Sequence, residues 1–380
     1  MNVDLLERPV SPVHHVSRTA PLEPPCRLLP PARPRRIALQ QSRLAERISR
    51  RRFTIGAGGL ALAALAGCGQ QEQATQPTPA TSDALPEPIV IQHAFGSTEV
   101  TKTPSRVVTL GWGPTEAALA VGVVPVAIPR GTGNGGDKEG YHPWVREYFA
   151  RTQQPLPEVL STNAGDPPPF EEILTHQPDL ILATEAGLTK KQYDTLTAIA
   201  PTIAHPGEAW ETPWRDTIAI SGRALGKQAE AEQVLRDLDA KTAEAAAAHP
   251  EFKGRSITVA EVYEGEFLIY TATEPRGQLL TQLGFTVDSY GSSETVHELS
   301  FEKADTITSD VLLMYFPDEA ARQEFESGPA ATVLSSHLKD GRIASVVGAA
   351  NVAAVSPPTA LSWPWTIDQF TSTLSAAAKS

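Results

Sequence analysis

The chain has 380 residues, enough for about two domains of ordinary size that each bury a core of their own. Its 44 acidic residues outnumber its 32 basic ones, which argues against nucleic-acid binding because phosphates are bound by clustered lysine and arginine. Cysteine occurs only at Cys26 and Cys68, so the part of the chain after Cys68 has no disulfide framework.

The first 68 residues differ in character from the rest. Residues 1–48 are rich in proline and arginine without a helical or strand period, and we expect a disordered extension or a start codon assigned too early. Residues 49–68, SRRRFTIGAGGLALAALAGC, place three arginines before an apolar run and a small-residue site that ends in Cys68. This pattern resembles a bacterial lipoprotein signal, and its start also resembles a twin-arginine signal. An ordinary cleavable signal or a short buried helix would fit the apolar run as well.

An acylated Cys68 would anchor the protein to the extracytoplasmic side of the cell membrane, since two or three acyl chains hold a protein firmly to a bilayer. Residues 69–88 are polar and proline-rich, and we expect a flexible tether. Residues 69–380 carry 21 basic and 40 acidic residues, a net charge of −19. The sequence thus predicts an acidic protein that a flexible tether joins to a membrane anchor.

Strand-like and helix-like segments alternate over residues 89–226, which we expect to form a first lobe. Continuous apolar runs such as Leu180 to Ala183 are typical of parallel strands that are covered on both faces. The pattern predicts strands at 106–112, 123–128 and 180–183, and helices near 114–122, 142–151, 170–175 and 214–225.

Residues 227–249 contain strong helix formers with no glycine or proline inside, and predict one long helix. Alternation resumes over residues 254–380, with strands at 256–263, 265–272 and 311–316 and a last helix from about Ile367. A weak repeat relates PFEEILTHQPDLILA to SFEKADTITSDVLLM. The predicted fold is therefore α/β, with two Rossmann-like lobes of mainly parallel sheets joined by one long rigid helix.

Over about residues 87–378 the chain resembles the extracytoplasmic substrate-binding proteins of ABC importers, in the class with a rigid connecting helix that takes up ferric siderophores, haem and cobalamin. The resemblance is carried by RVVTLGWGPTEAALAVGVVPVAI, FEEILTHQPDLIL and SFEKADTITSDVLL, while IVIQHAFGSTEVTKTPSRVV and PGEAWETPWRD resemble the ferric-siderophore branch. It implies a monomeric receptor, not an enzyme and without a cofactor. The receptor would capture a ferric siderophore between its lobes, hold the iron only through its chelator, and deliver the complex to a membrane permease.

In that family one glutamate on each lobe docks with arginines of the permease. The matching positions are Glu171 in PFEEI and Glu302 in SFEKA, although Glu172 competes with Glu171. Two carboxylates, one per lobe, would orient a bilobed protein over a two-subunit pore. Both residues also fit the first turn of a helix, where the macrodipole favours glutamate whatever its function.

The cleft between the lobes should be lined by loops at the carboxyl ends of parallel strands. Aromatic and arginine side chains there would stack on and hydrogen-bond to a siderophore, although each could equally serve packing or a surface ion pair. The candidate ligand-binding residues are Trp112, Trp210, Trp214, Tyr263, Tyr270, Arg276 and Trp363.

Other functions fit the sequence less well. The loop GTGNGGDKEG lacks the lysine and serine or threonine that end a phosphate-binding loop, and scattered histidines predict no direct metal site. A haem or cobalamin receptor of the same fold stays open, with Tyr141, His142 or Tyr263 as possible haem ligands. An exported hydrolase is a further alternative, although no nucleophile motif is present. The type of siderophore is open, and the net charge of −19 leans away from anionic catecholates.

Overall fold

The computed structural model describes residues 84–263, 265–292 and 294–380. Cys68, the predicted signal and most of the predicted tether lie outside these residues. The first described element is a hairpin of two antiparallel strands, β1 (Ala84–His93) and β2 (Gly96–Lys102). Strand β1 thus begins inside the predicted tether, five residues before Ile89. Within the described residues, no helix is both long and apolar enough to cross a membrane.

The first lobe is built on a five-stranded parallel sheet with the order β5-β4-β3-β6-β7. Every residue of β3 and β6 is buried, as expected for apolar strands in the middle of a parallel sheet with both faces covered. The predicted strand at 123–128 starts later because Pro125 cannot donate to a strand ladder. The strands are β3 (Val107–Gly111), β4 (Ala127–Arg130), β5 (Glu158–Asn163), β6 (Leu180–Glu185) and β7 (Thr202–Ile203).

Five helices connect these strands and follow the last of them. The start of α4 is fixed by a capping box, in which the backbone N–H of Thr189 donates to Gln192 Oε1 at 2.8 Å and the backbone N–H of Gln192 donates to Thr189 Oγ1 at 3.3 Å. The helices are α1 (Pro114–Ala120), α2 (Pro143–Thr152), α3 (Phe170–Thr175), α4 (Lys190–Thr197) and α5 (Trp214–Ala224).

Helix α6 (Gln228–Ala248) joins the two lobes. Its 21 residues span about 32 Å, and it packs against α5 on one side and against the helices of the second lobe on the other. The predicted long helix is therefore present, with the predicted end residues Lys227 and His249 flanking it as caps.

The second lobe has a six-stranded mixed sheet with the order β11-β9-β8-β12-β13, and β10 beside β8. Strand β9 runs antiparallel to both β8 and β11 because only two residues connect β8 to β9, and such a short connection joins antiparallel strands. The other pairs are parallel. The strands are β8 (Ser256–Tyr263), β9 (Glu266–Tyr270), β10 (Thr286–Val287), β11 (Val296–Ser300), β12 (Val311–Phe316) and β13 (Ile343–Val347).

The helices of the second lobe differ from expectation at one important place. Helix α12 begins at Ser362, five residues before the predicted start at Ile367, because a proline in the first turn, here Pro364, does not interrupt a helix. Residues Phe301–Thr306 form a 3-10 turn. The helices are α7 (Pro275–Leu283), α8 (Glu319–Ser327), α9 (Pro329–Val333), α10 (Ser335–Lys339), α11 (Ala349–Ala353) and α12 (Ser362–Ala378).

Candidate functional site

A narrow crevice lies between the carboxyl edge of the first sheet and the segment before α12. Two adjoining hollows share Trp112 and Gly113 from the first lobe and Pro357 and Thr359 from the second. The larger hollow has a cavity volume of about 40 Å³, room for only a few water molecules. A ligand of siderophore size would therefore need the two walls to part.

Trp112 is placed at the crevice by the glycines on both sides of it. Gly111 has φ of +80°, and a Cβ there would lie 2.0 Å from the carbonyl oxygen of Glu185. The N–H of Trp112 donates to the same oxygen at 2.8 Å. Only glycine fits at 111, and it lets the strand turn sharply. This turn places the half-buried indole of Trp112 against both hollows.

A buried carboxyl lies beneath this turn. Glu116 on α1 is 5% exposed, and its Oε1 accepts a hydrogen bond from Trp144 Nε1 at 2.8 Å. Burial raises the pKa of Glu116. The ring of His142 stacks on Trp144 with centroids 4.5 Å apart, and burial lowers the pKa of His142 to about 4, so this imidazole is neutral at pH 7. The first-lobe wall is thus aromatic and weakly charged.

A second buried carboxyl, Glu185, ends β6 beside the smaller hollow. It is 6% exposed, and its Oε2 accepts the backbone N–H of Thr212 at 2.8 Å. Burial raises the pKa of Glu185 to about 7, and the negative charge of Glu274 in the second lobe adds to the shift. Glu185 and Glu274 therefore repel each other across the crevice when both are ionised.

Replacing Glu185 with glutamine should remove a pH dependence of stability. The carboxyl has an ordinary pKa of 4.5 and a folded-state pKa of about 7, so between these values the unfolded chain has lost a proton that the folded chain keeps. Rising pH then lowers the free energy of unfolding, by about 3 kcal/mol in total relative to Glu185→Gln. Glutamine can still accept from Thr212. Urea unfolding of both proteins at pH 5 and pH 7.5 measures most of this difference, and an equal change in both would contradict the burial argument.

The predicted residues Tyr270 and Arg276 lie together in the second lobe. Arg276 forms an ion pair with Glu274 and donates from Nε to Ser356 Oγ at 2.7 Å, while its guanidinium lies 4.1 Å from the ring centroid of Tyr270. The hydroxyl of Tyr270 donates to Glu261 Oε2 at 2.8 Å. The network brings both residues to one place, next to the segment that closes the crevice, and a ligand contact there stays a prediction.

The predicted tryptophans of the first lobe have different surroundings. Trp214, 5% exposed, lines the smaller hollow, and the guanidinium of Arg215 lies 4.2 Å from the centroid of its ring. Trp210 is half-buried with φ of +67°, and packs so closely on Gly187 that a Cβ there would lie 2.0 Å from its Nε1. Tyr263 is half-buried at the end of β8, away from the lining of either hollow.

Trp363, another predicted ligand residue, lies in the core and not at the crevice. Its side chain is fully buried, and its Nε1 donates to Thr242 Oγ1 on α6 at 2.8 Å. The expectation of a loop at 363 was wrong because α12 already begins at Ser362, which turns the indole into the core. Trp363 packs the last helix against α6 and cannot reach a ligand in this structure.

The predicted docking glutamates are both exposed, one on each lobe, with Glu171 on α3 and Glu302 on the 3-10 turn. The competing Glu172 is half-buried, and its Oε2 accepts hydrogen bonds from Ser161 Oγ at 2.6 Å and Ser161 N at 3.0 Å. Glu172 thus ties α3 to β5, which leaves Glu171 as the glutamate that faces solvent.

Sequence reasoning missed Glu116, Trp144 and Glu185 as crevice residues. Glu185 could have been found, since it stands at the carboxyl end of an apolar strand, as Trp112 does. Tyr141, considered as a haem ligand, donates its hydroxyl to the carbonyl of Pro157 at 2.7 Å.

The glycine-rich loop, residues 131–140, reaches from the first lobe to the second. Gly135 has φ of +81°, and a Cβ there would lie 2.4 Å from Ala350 Cα on α11. The loop therefore needs glycine for this close approach between the lobes.

Comparison with protein-family models gives a match over residues 107–336, described as periplasmic binding protein. The match covers the first sheet, α6 and most of the second sheet. The chain belongs to the periplasmic binding protein family. It is accordingly a binding protein and not an enzyme, with two α/β lobes and a long connecting helix.

Relatives of this periplasmic binding protein are known by sequence and by structure. The probable siderophore-binding lipoprotein YfiY of Bacillus subtilis (strain 168) is 27% identical over 228 residues, 60% of this chain and 64% of that protein, so the match spans less than two thirds of its length. The Fe(3+) dicitrate-binding periplasmic protein FecB of Escherichia coli (strain K12) is 26% identical over 269 residues, 68% of this chain and 84% of that protein.

A solved structure supports the fold. PiaA of Streptococcus pneumoniae TIGR4, in complex with ferrichrome, is 31% identical with a TM-score of 0.67, and the alignment covers 77% of this chain and 99% of that chain.

Proposed function

We propose that this chain is the substrate-binding component of an ABC importer, which captures a ferric siderophore between its lobes and delivers it to a permease for iron uptake. The observation that carries the proposal is the crevice between Trp112 and the segment Pro357–Thr359, a tryptophan-lined site at the carboxyl edge of a parallel sheet. The relatives named for siderophore, ferric dicitrate and ferrichrome binding support it.

Iron would reach the crevice already enclosed by its chelator. The residues around the crevice offer aromatic faces and hydrogen-bonding groups, which suit the organic surface of a siderophore. We further propose that Cys68 carries a lipid, which keeps this monomeric receptor beside its permease on the extracytoplasmic side of the membrane. The residues that precede β1 would form a flexible tether between the lipid and the folded lobes.

Ferric siderophores should quench the tryptophan fluorescence of the protein in a saturable way. Three of the six tryptophans, Trp112, Trp144 and Trp214, line the crevice, and a bound ferric chelate would lie close to them. A panel of ferric hydroxamates, catecholates and citrates would be titrated, with each iron-free chelator as the control. No quench by any member up to tens of micromolar would contradict the siderophore assignment.

The contribution of Trp112 can be separated from that of the fold. Trp112→Ala should weaken binding of the best chelate about 30-fold, the usual loss for a buried aromatic anchor, as measured by equilibrium dialysis with radioactive iron. The control is Trp363→Phe, which should bind as the parent protein does because Trp363 lies in the core.

A further inference from the structure

The crevice has an unusual balance of charge for a site that would receive an iron complex. Its lining among the described residues includes the carboxyls of Glu116 and Glu185, and only one arginine, Arg130, which is exposed at the rim. The nearby Arg276 does not add a free positive charge, because Glu274 is ion-paired with it. The walls that would surround a ligand therefore carry no surplus of positive charge.

The remaining polar groups of the crevice are neutral. His142 Nδ1 and Thr217 Oγ1 are both buried and have no hydrogen-bond partner among the residues that the structure describes. Each belongs to a residue that lines one of the hollows. A buried polar atom without a partner costs free energy, so both would gain from the amide or carbonyl groups of a ligand.

The charge of a ferric chelate depends on the groups that bind the iron. Three hydroxamates, each a monoanion, neutralise Fe³⁺, whereas three catecholates, each a dianion, leave three negative charges on the complex. Burying such an anion beside the carboxyls of Glu116 and Glu185 would carry a large desolvation cost, with only the exposed Arg130 to offset it. A neutral complex avoids this cost.

We propose that the crevice selects an uncharged ferric chelate of the tris-hydroxamate type over anionic catecholate and hydroxycarboxylate chelates. This inference rests on the proposed function and adds the chemical class of its ligand. Selection acts by exclusion, since an anionic complex would find no unpaired cation inside the crevice and would oppose the ionisation of Glu185 and Glu116, while His142, Thr217 and the tryptophans contact a neutral one.

The test is a set of dialysis titrations with three chemical probes, namely ferrichrome as the neutral tris-hydroxamate, a ferric tris-catecholate, and ferric citrate. The neutral probe should bind at least about 30-fold more tightly than either anionic one, and its affinity should change little between low and high salt. At pH 8, above the pKa of about 7 of Glu185, Glu185→Gln should reduce the ratio of neutral to anionic affinity about tenfold. Glu232→Gln, the same change at an exposed position of α6, should leave the ratio unchanged.

The outcomes separate this inference from the proposed function. If an anionic probe binds as tightly as ferrichrome, the selection of a neutral chelate is overturned while the siderophore receptor stands. If Glu185→Gln leaves the ratio of affinities unchanged, exclusion by charge is overturned. If none of the three probes binds, the proposed function fails and this inference fails with it.

Discussion

Replacing Trp363 with alanine should destabilise the protein by about 3–5 kcal/mol, because the change leaves a large cavity where the last helix meets the connecting helix. The indole is fully buried and stacks edge-on against Phe370 at 5.9 Å. Its Nε1 donates to Thr242 Oγ1, and the same hydroxyl donates to the carbonyl of Leu238 at 2.8 Å. The substitution thus removes both packing and one bond of a buried chain of hydrogen bonds.

Urea unfolding followed by circular dichroism measures this loss without depending on tryptophan emission. Trp365→Ala is the matched control, since Trp365 lies one half-turn away on the same helix, is partly exposed, and packs on Trp144 with centroids 5.5 Å apart. It should cost clearly less. Trp363→Phe keeps most of the volume and should cost about 1 kcal/mol for the lost hydrogen bond. Equal losses for Trp363→Ala and Trp365→Ala would contradict the role of Trp363 as the anchor between α12 and α6.

The buried strands and the connecting helix were predictable because each is an uninterrupted run of residues that favours a single type of secondary structure. Leu180 to Glu185 is buried at every position, and α6 contains no residue that interrupts a helix. The start of α12 was not predictable in the same way. Pro364 reads equally as a loop residue or as part of a first helical turn, and only the tertiary contact of Trp363 with α6 decides between them.

The site was predictable only where it follows the rule that ligands bind at the carboxyl ends of parallel strands. Trp112 follows β3 directly, and the rule correctly places it at the carboxyl edge. The roles of Glu116 and Trp144 depend on a hydrogen bond between α1 and α2, over a separation of 28 residues that no local pattern encodes. Likewise, Glu171 is the glutamate that faces solvent because Glu172 is hydrogen-bonded to Ser161, and the sequence does not show that contact.

Reversing the charge of both Glu171 and Glu302 should abolish iron uptake while leaving siderophore binding intact. If each glutamate meets an arginine of the permease, the double change to arginine replaces two attractive pairs by two repulsive ones, and transport should fall more than about tenfold. Leu174, three residues beyond Glu171 on the same face of α3, is 57% exposed and would add an apolar contact to such a docking surface.

Uptake of radioactive iron by cells that depend on this receptor measures the effect, and dialysis of the purified protein measures binding. The matched control is Glu147→Arg with Glu324→Arg, which also changes one exposed glutamate on each lobe and the same net charge. The control should transport normally, because the effect depends on position and not on total charge. Each single reversal, at Glu171 or at Glu302, should reduce uptake less than the pair does, since one lobe would still engage its permease subunit. Normal uptake in the double variant would overturn the docking role, and equal loss in the control would show that overall charge alone governs the encounter with the membrane.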